Sequence, residues 1–128
     1  MTTQTHTPTA GVIAQTWAET MASRDWDALG KLVSHDVSFR EATPRGTVEL
    51  DGREAMLDYA RAGLGGAETL TAKGFDGELI GDSVRVTMCL LAGRDGQTFA
   101  YDQTLYLTFD ADSRACAISA ACSGGQLV

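Results

Sequence analysis

Glu41 is the residue in this chain whose type and spacing most clearly could do chemistry. It ends the segment His35-Asp36-Val37-Ser38-Phe39-Arg40-Glu41, which follows two helix-like stretches and reads as a strand. Val37, Phe39 and Glu41 alternate, so their side chains share one face. Two of the three are apolar, which marks that face as buried and sets a carboxylate among apolar neighbours. Burial penalises the charged form, so the pKa of such an acid rises towards neutrality, which suits it to taking and returning protons. A purely structural alternative stands beside this: Glu41 reaches water at the strand end, or pairs with Arg40 or Arg45.

The elements that must hold Glu41 follow from periodicity. Ile13, Trp17 and Met21, with Ala10 and Ala14 beside them, form one stripe of an amphipathic helix from about Thr9 to Ala22. Ser23-Arg24-Asp25 breaks it, and Asp25 can cap a second helix whose stripe is Trp26, Leu29, Leu32 and Val33. After the strand ending at Glu41, Ala42 to Gly46 is a turn and Thr47 to Leu50 a short strand. Asp51 followed by Glu54 makes a capping-box-like start. The third helix carries Ala55, Met56, Tyr59 and Ala60 and ends near Gly63, Gly65 and Gly66. Alternation then takes over, predicting strands near Glu68 to Ile80, Ser83 to Ala92, Thr98 to Phe109 and Ala115 to Cys122.

Three helices followed by a long antiparallel sheet make an α+β domain, here covering residues 9–128 after a polar, Thr-rich tail, 1–8, expected to be disordered. A curved sheet wrapped around its helices encloses a cone-shaped cavity. Val84, Val86, Met88, Leu90 and Ala92 share its inner face, as do Phe99, Tyr101, Gln103, Leu105, Leu107 and Phe109 on the next strand. Ile118, Ala120 and Cys122 are expected inward on the last. Tyr101 and Gln103 are thus polar groups on an apolar wall. Buried polar groups need partners, and a bound ligand is one candidate; a hydrogen bond to a loop carbonyl is the other.

Composition narrows the function classes. The 128 residues suit one domain, and 44% hydrophobic with 21% charged residues is ordinary for a globular protein. Ten Lys and Arg against seventeen Asp and Glu give a net charge of −7, which disfavours nucleic acid and anionic membrane as partners. Cys89, Cys116 and Cys122 show no CxxC and no neighbouring His pair, which suits free thiols in a reducing cytoplasm. Neither a signal peptide nor a stretch of membrane-spanning length is visible. No His/Asp/Glu spacing suggests a metal. His35 reads as a surface residue, His6 belongs to the tail, and Cys122 lacks an activating His or Lys in the sequence around it.

The order of elements and several short motifs resemble the nuclear transport factor 2-like superfamily, in its ketosteroid isomerase and SnoaL-like polyketide cyclase branch. The resemblance runs over roughly residues 10 to 122. It is carried by Thr16-Trp17, Arg24-Asp25-Trp26-Asp27-Ala28-Leu29 and Asp36-Val37-Ser38-Phe39-Arg40-Glu41, then by Gly52-Arg53-Glu54-Ala55-Met56 and Leu107-Thr108-Phe109-Asp110-Ala111-Asp112-Ser113-Arg114. It implies a cystatin-like α+β barrel and puts Glu41 where ketosteroid isomerases keep their general-base Asp. Trp17 stands where that family has an oxyanion-hole Tyr, and Leu105 where it has a protonated Asp. Tyr101 and Gln103, on the same face as Leu105, or the Trp17 indole N–H, could supply a differently placed donor.

These readings give Glu41, Tyr101 and Gln103 as candidate catalytic residues. Trp17, Met21, Phe39, Tyr59, Val86, Met88, Leu90, Leu105, Ile118 and Cys122 are candidate substrate wall or core. The expected function is a cofactor-independent isomerisation, cyclisation or dehydration of a hydrophobic polyketide- or steroid-like molecule. Epoxide hydrolysis or epoxide-opening cyclisation is an alternative, but Asp102, the second carboxylate it would want, faces outward by alternation. A non-catalytic binding or dimerisation module is another. The resemblance also implies a homodimer formed through the outer sheet face, which carries Arg85, Thr87, Asp102, Thr104, Tyr106 and Thr108.

Overall fold

The computed structural model describes residues 9–128; the tail 1–8, with His6, lies outside the described residues. Helix α1 (Ala10–Ser23) is capped by Thr9, whose Oγ1 accepts the Val12 N–H at 3.2 Å, and it buries Ala14, Trp17, Ala18 and Met21. Arg24, in the left-handed region at φ 55°, ends it. Helix α2 (Trp26–Leu32) starts as expected on Asp25, whose carboxylate accepts the Ala28 N–H at 3.1 Å.

Strand β1 (Val33–Thr43) begins earlier than the alternation suggests, because Val33 leaves the helix and pairs with the last long strand. β1 turns back into β2 (Gly46–Asp51). Helix α3 (Arg53–Leu64) follows, and its cap differs from the sequence reading. Asp51 is still held in the ladder opposite Ser38, so Gly52, at φ 94°, takes the N-cap position without a side-chain hydrogen bond. The remaining strands are β3 (Thr69–Ile80), β4 (Ser83–Arg94), β5 (Gln97–Phe109), β6 (Ala115–Cys122) and a two-residue β7 (Gln126–Leu127).

The sheet runs β2-β1-β6-β5-β4-β3, with β7 added to β5, and it is not closed into a barrel. It is mixed rather than wholly antiparallel. β3 to β6 form an antiparallel meander, and β6 then lies parallel to β1, Glu41 opposite Ala120. Periodicity assigns faces along one strand but carries no information on which distant strand becomes its neighbour.

The inner face holds the core. Val84, Val86, Met88, Leu90 and Ala92 are all buried, as are Leu105 and Leu107 opposite them in the ladder. Helix α1 lies across β3 and β4. Its N-terminal end passes so close to β3 that any side chain at Gly77 would run into the Ala10 carbonyl. No helix among the described residues is long and apolar enough to cross a membrane.

Candidate active site

The alternation of β1 turns Val37, Phe39 and Glu41 inward together. Glu41 is 8% exposed and, with Ser34, makes up the buried polar side chains among the described residues. Neither arginine neutralises it. Arg40 points outward and meets Glu49 across the β1–β2 hairpin at 3.7 Å, and Arg45 on the hairpin turn makes no ion pair among the described residues. The partner of Glu41 is Tyr59, whose hydroxyl donates to Oε1 at 2.6 Å. Tyr59 lies one turn after the buried Met56 on α3, which sets its ring against β1. The Phe39 and Tyr59 rings stand 5.7 Å apart, inclined at 57°, within the tilted geometry that aromatic pairs favour.

Two opposing effects act on the Glu41 carboxyl. Desolvation raises its pKa, the hydrogen bond from Tyr59 lowers it, and desolvation is the larger, so the acid ends above the ordinary carboxylate range. Burial and then the neighbouring carboxylate raise the Tyr59 phenol well above its usual value. The phenol therefore keeps its proton when Glu41 ionises. The pair is a carboxylate with a fixed neutral donor on one oxygen. Glu41 Oε2 accepts no hydrogen bond from the described residues.

Glu41 and Tyr59 open onto a cavity of about 820 Å³. Trp17, Met21, Leu29, Phe39, Met56 and Leu105 make its apolar wall, while Tyr101, Gln103 and Cys122 bring polar groups from β5 and β6. The mouth is framed by the Thr43-Pro44-Arg45 turn, the C-terminal end of α3 and the segment from Ser123 to Gln126. Nine residues named from sequence thus share one cavity: Glu41, Tyr101, Gln103, Trp17, Met21, Phe39, Tyr59, Leu105 and Cys122.

Four others do not reach it. Val86, Met88 and Leu90 lie on β4, which α1 crosses, and Ile118 sits between Phe39 of β1 and Leu107 of β5 in the ladder. They are core, because the inner face is filled by a helix at that end of the sheet and left open at the other.

The polar wall groups have protein contacts of their own. Gln103 Nε2 donates to Cys122 Sγ at 3.7 Å, and the Gly124 N–H donates to the same sulfur at 3.4 Å. Tyr101 is half-buried against Gly125, where a Cβ would collide with its ring and hydroxyl. That chain segment is held by β7, which pairs Phe99 with Leu127 and Ala100 with Gln126. Sequence reasoning missed this strand and the Tyr59–Glu41 bond. Two residues are too few for alternation to register, whereas a hydroxyl on the apolar stripe of α3 was the visible clue to Tyr59.

Glu41 is the sole carboxylate on the cavity wall among the described residues; Asp102 is exposed on the outer face, as expected. A shallower groove of about 760 Å³ crosses that outer face past Lys73, Thr87, Cys89, Asp102 and Thr104. Burial and the adjacent Asp102 push the Cys89 thiol up, which keeps it protonated and poorly nucleophilic.

No protein-family model and no curated protein matches the chain. Solved structures do. A protein with a ketosteroid isomerase-like fold from Catenulispora acidiphila, determined in complex with trimethylamine, is 19% identical, with 90% of this chain and 88% of that one covered at a TM-score of 0.72. A candidate polyketide cyclase from Xanthomonas campestris is 15% identical over 85% of this chain and 86% of its own, TM-score 0.68. A candidate SnoaL-like polyketide cyclase from Shewanella denitrificans is likewise 15% identical, covering 87% and 88%, TM-score 0.68. The chain has the nuclear transport factor 2-like fold, in the form shared by ketosteroid isomerase-like and SnoaL-like polyketide cyclase proteins.

Proposed function

We propose that this protein is a small enzyme in which Glu41 works as a general acid/base, isomerising, cyclising or dehydrating a hydrophobic small molecule without an organic cofactor. The observation that carries the reading is a buried carboxylate that, among the described residues, has no cation beside it and a single neutral donor, Tyr59, and that faces a largely apolar cavity of about 820 Å³. Burial of a carboxylate without a counter-charge is unfavourable for folding, and such strain is typical of groups kept for chemistry. Ionised Glu41 would take a proton from a carbon acid on its free oxygen and return it elsewhere on the substrate. In this reading Tyr101 and Gln103 would stabilise the developing oxyanion, because the family resemblance puts Trp17 and Leu105 at the positions of its usual donors.

The test needs no knowledge of the natural substrate. 5-Nitrobenzisoxazole loses its C3 proton to a desolvated carboxylate as its N–O bond breaks, releasing a coloured phenolate. The protein should catalyse this elimination with a rate that rises with pH as Glu41 ionises, and Glu41→Gln should remove it while the fold persists. Equal rates in the two proteins would end the acid/base reading. In its place would stand a binding module whose cavity holds a ligand without turning it over, a reading favoured by the substitutions at the usual donor positions.

Two further proposals belong to this reading. The protein pairs as a homodimer through its outer sheet face, where Tyr106 is 42% exposed and lies opposite Arg85 in the ladder. A closed two-fold pairing would bring both against the partner. Light scattering at high micromolar concentration should give about twice the 13.6 kDa chain mass, and a value near 13.6 kDa would overturn it. Cys89, Cys116 and Cys122 are all free thiols, which supports a reducing cytoplasm as its setting.

A further inference from the structure

The wall of the cavity is unusual in what surrounds its one acid. Four aromatic side chains line the same space as Glu41: Trp17 from α1, Phe39 from β1, Tyr59 from α3 and Tyr101 from β5. Phe39 lies two residues from Glu41 on the same strand face, and Tyr59, whose ring is 5.7 Å from that of Phe39, is bonded to the carboxylate. Among the described residues, Glu41 Oε2 has no hydrogen-bond donor and no Lys, Arg or His lies within ion-pair distance of it. The cavity therefore brings a negative charge together with aromatic rings, and the one cation on its wall among the described residues, Arg45, is on the exposed rim.

A steroid or polyketide carbon skeleton would fill the apolar volume and leave that carboxylate uncompensated. An ammonium group would compensate it. Cations are attracted to aromatic faces, most strongly when both are removed from water, and a methylated ammonium can be desolvated more easily than a primary one. We propose that the ligand of this cavity is a hydrophobic amine, bound with a tertiary or quaternary ammonium against Glu41 and the rings of Phe39 and Tyr59, and with its apolar remainder towards Trp17, Met21 and Leu105. This rests on the cavity's being the functional site and deepens that reading by naming a substrate class. It does not depend on Glu41 being a catalyst.

Two probes of the same shape, one cationic and one neutral, decide the matter. [3-(Hydroxymethyl)phenyl]trimethylammonium and 3-tert-butylbenzyl alcohol differ by a positive nitrogen in place of a carbon, and neither alcohol ionises at pH 8. Titrated into the wild-type protein by calorimetry at pH 8 and physiological salt, the cation should bind at least about ten-fold more tightly, the order expected of a desolvated cation–π site with a counter-ion. Glu41→Gln should reduce that preference to two-fold or less by weakening the cation alone. The neutral alcohol, whose contacts are apolar, should keep its affinity and thereby show that the cavity is intact. Equal affinity of the two probes in wild type, tighter binding of the neutral one, no binding of either, or a preference that survives Glu41→Gln would each overturn the proposal. The wild-type comparison stands without any variant and so survives a misfolded mutant. The benzisoxazole assay fails or succeeds separately: loss of elimination with retained cation preference would leave a binding protein for amines, and the reverse would leave an acid/base enzyme for neutral substrates.

Discussion

The two ends of the inner sheet face obey one sequence rule and meet different fates. On β4, Val84, Val86, Met88 and Leu90 alternate inward and vanish under α1, with Val86 and Leu90 completely buried. On β1, Val37, Phe39 and Glu41 alternate inward in the same way, yet Phe39 and Glu41 look onto an open cavity. The difference lies in what covers the face. Helix α1 packs down on β3 and β4, so closely that Gly77 is the residue its N-terminal end can tolerate. At the other end the C-terminal part of α3 and the segment from Ser123 to Gln126 frame the cavity's mouth and leave its space open. An apolar stripe thus specifies a buried face, and the helices decide whether burial means packing or lining.

The sharpest way to break the comparison is to exchange the effects of its two ends. Glu41→Gln should lower any proton-transfer activity by about 10²- to 10⁴-fold, the usual contribution of a positioned acid/base. Steady-state kinetics would register this, and circular dichroism should be unchanged. Leu90→Ala should do the opposite, costing about 2–5 kcal/mol of stability in denaturant unfolding because it leaves a void under α1. Ligand affinity at temperatures where the variant stays folded should not move. If Leu90→Ala altered binding as much as stability, the two ends would not be separate.

Smaller changes refine the picture. Tyr59→Phe leaves the ring and removes the donor to Oε1, so the Glu41 pKa should rise further and the acid limb of the pH–rate profile should move to higher pH. At neutral pH activity should fall by about ten-fold, one lost charge-assisted hydrogen bond. An unmoved limb would mean that Tyr59 does not tune Glu41. The smallest effect concerns stability alone. Because folding raises the Glu41 pKa, the folded state favours the protonated acid. Its contribution is complete below the unfolded value of 4.5 and is lost as pH rises through the elevated folded value. At neutral pH, Glu41→Gln should therefore stabilise the protein by about 1 kcal/mol, as removal of functional strain commonly does. Melting curves at pH 7.5 and pH 4 should show the gain at the first and little or none at the second.

What could be read from the sequence follows the range of the interactions involved. Glu41 was legible because Val37 and Phe39 are its neighbours in the chain, and Asp25 because a cap acts over three residues. The parallel β1–β6 pairing was not, since nothing near Glu41 indicates Ala120 as its neighbour. Helical periodicity puts Tyr59 on the inward stripe of α3, but its bond to Glu41 joins a helix to a strand through tertiary packing that no periodicity encodes. Alternation puts Val86, Met88, Leu90 and Ile118 on the inner face but cannot tell wall from filling. Gly52 displaced the expected Asp51 cap because the strand ladder held Asp51 one residue longer.

The parallel pairing of β1 with β6 also sets the order in which the site can come into being. The β3–β6 meander is built from neighbouring hairpins and can form early, at little loop-closure cost. Glu41 acquires Ala120 beside it, and the cavity acquires Cys122, when β1 docks on a strand contributed from the far end of the domain. That docking closes the longest loop in the sheet. Substitutions at the β1–β6 seam, such as Ala120→Gly, should accordingly accelerate unfolding more than they retard folding, visible as a shift of the unfolding limb of a chevron. The carboxylate's environment would then be the last part of the molecule to mature and the first to be lost.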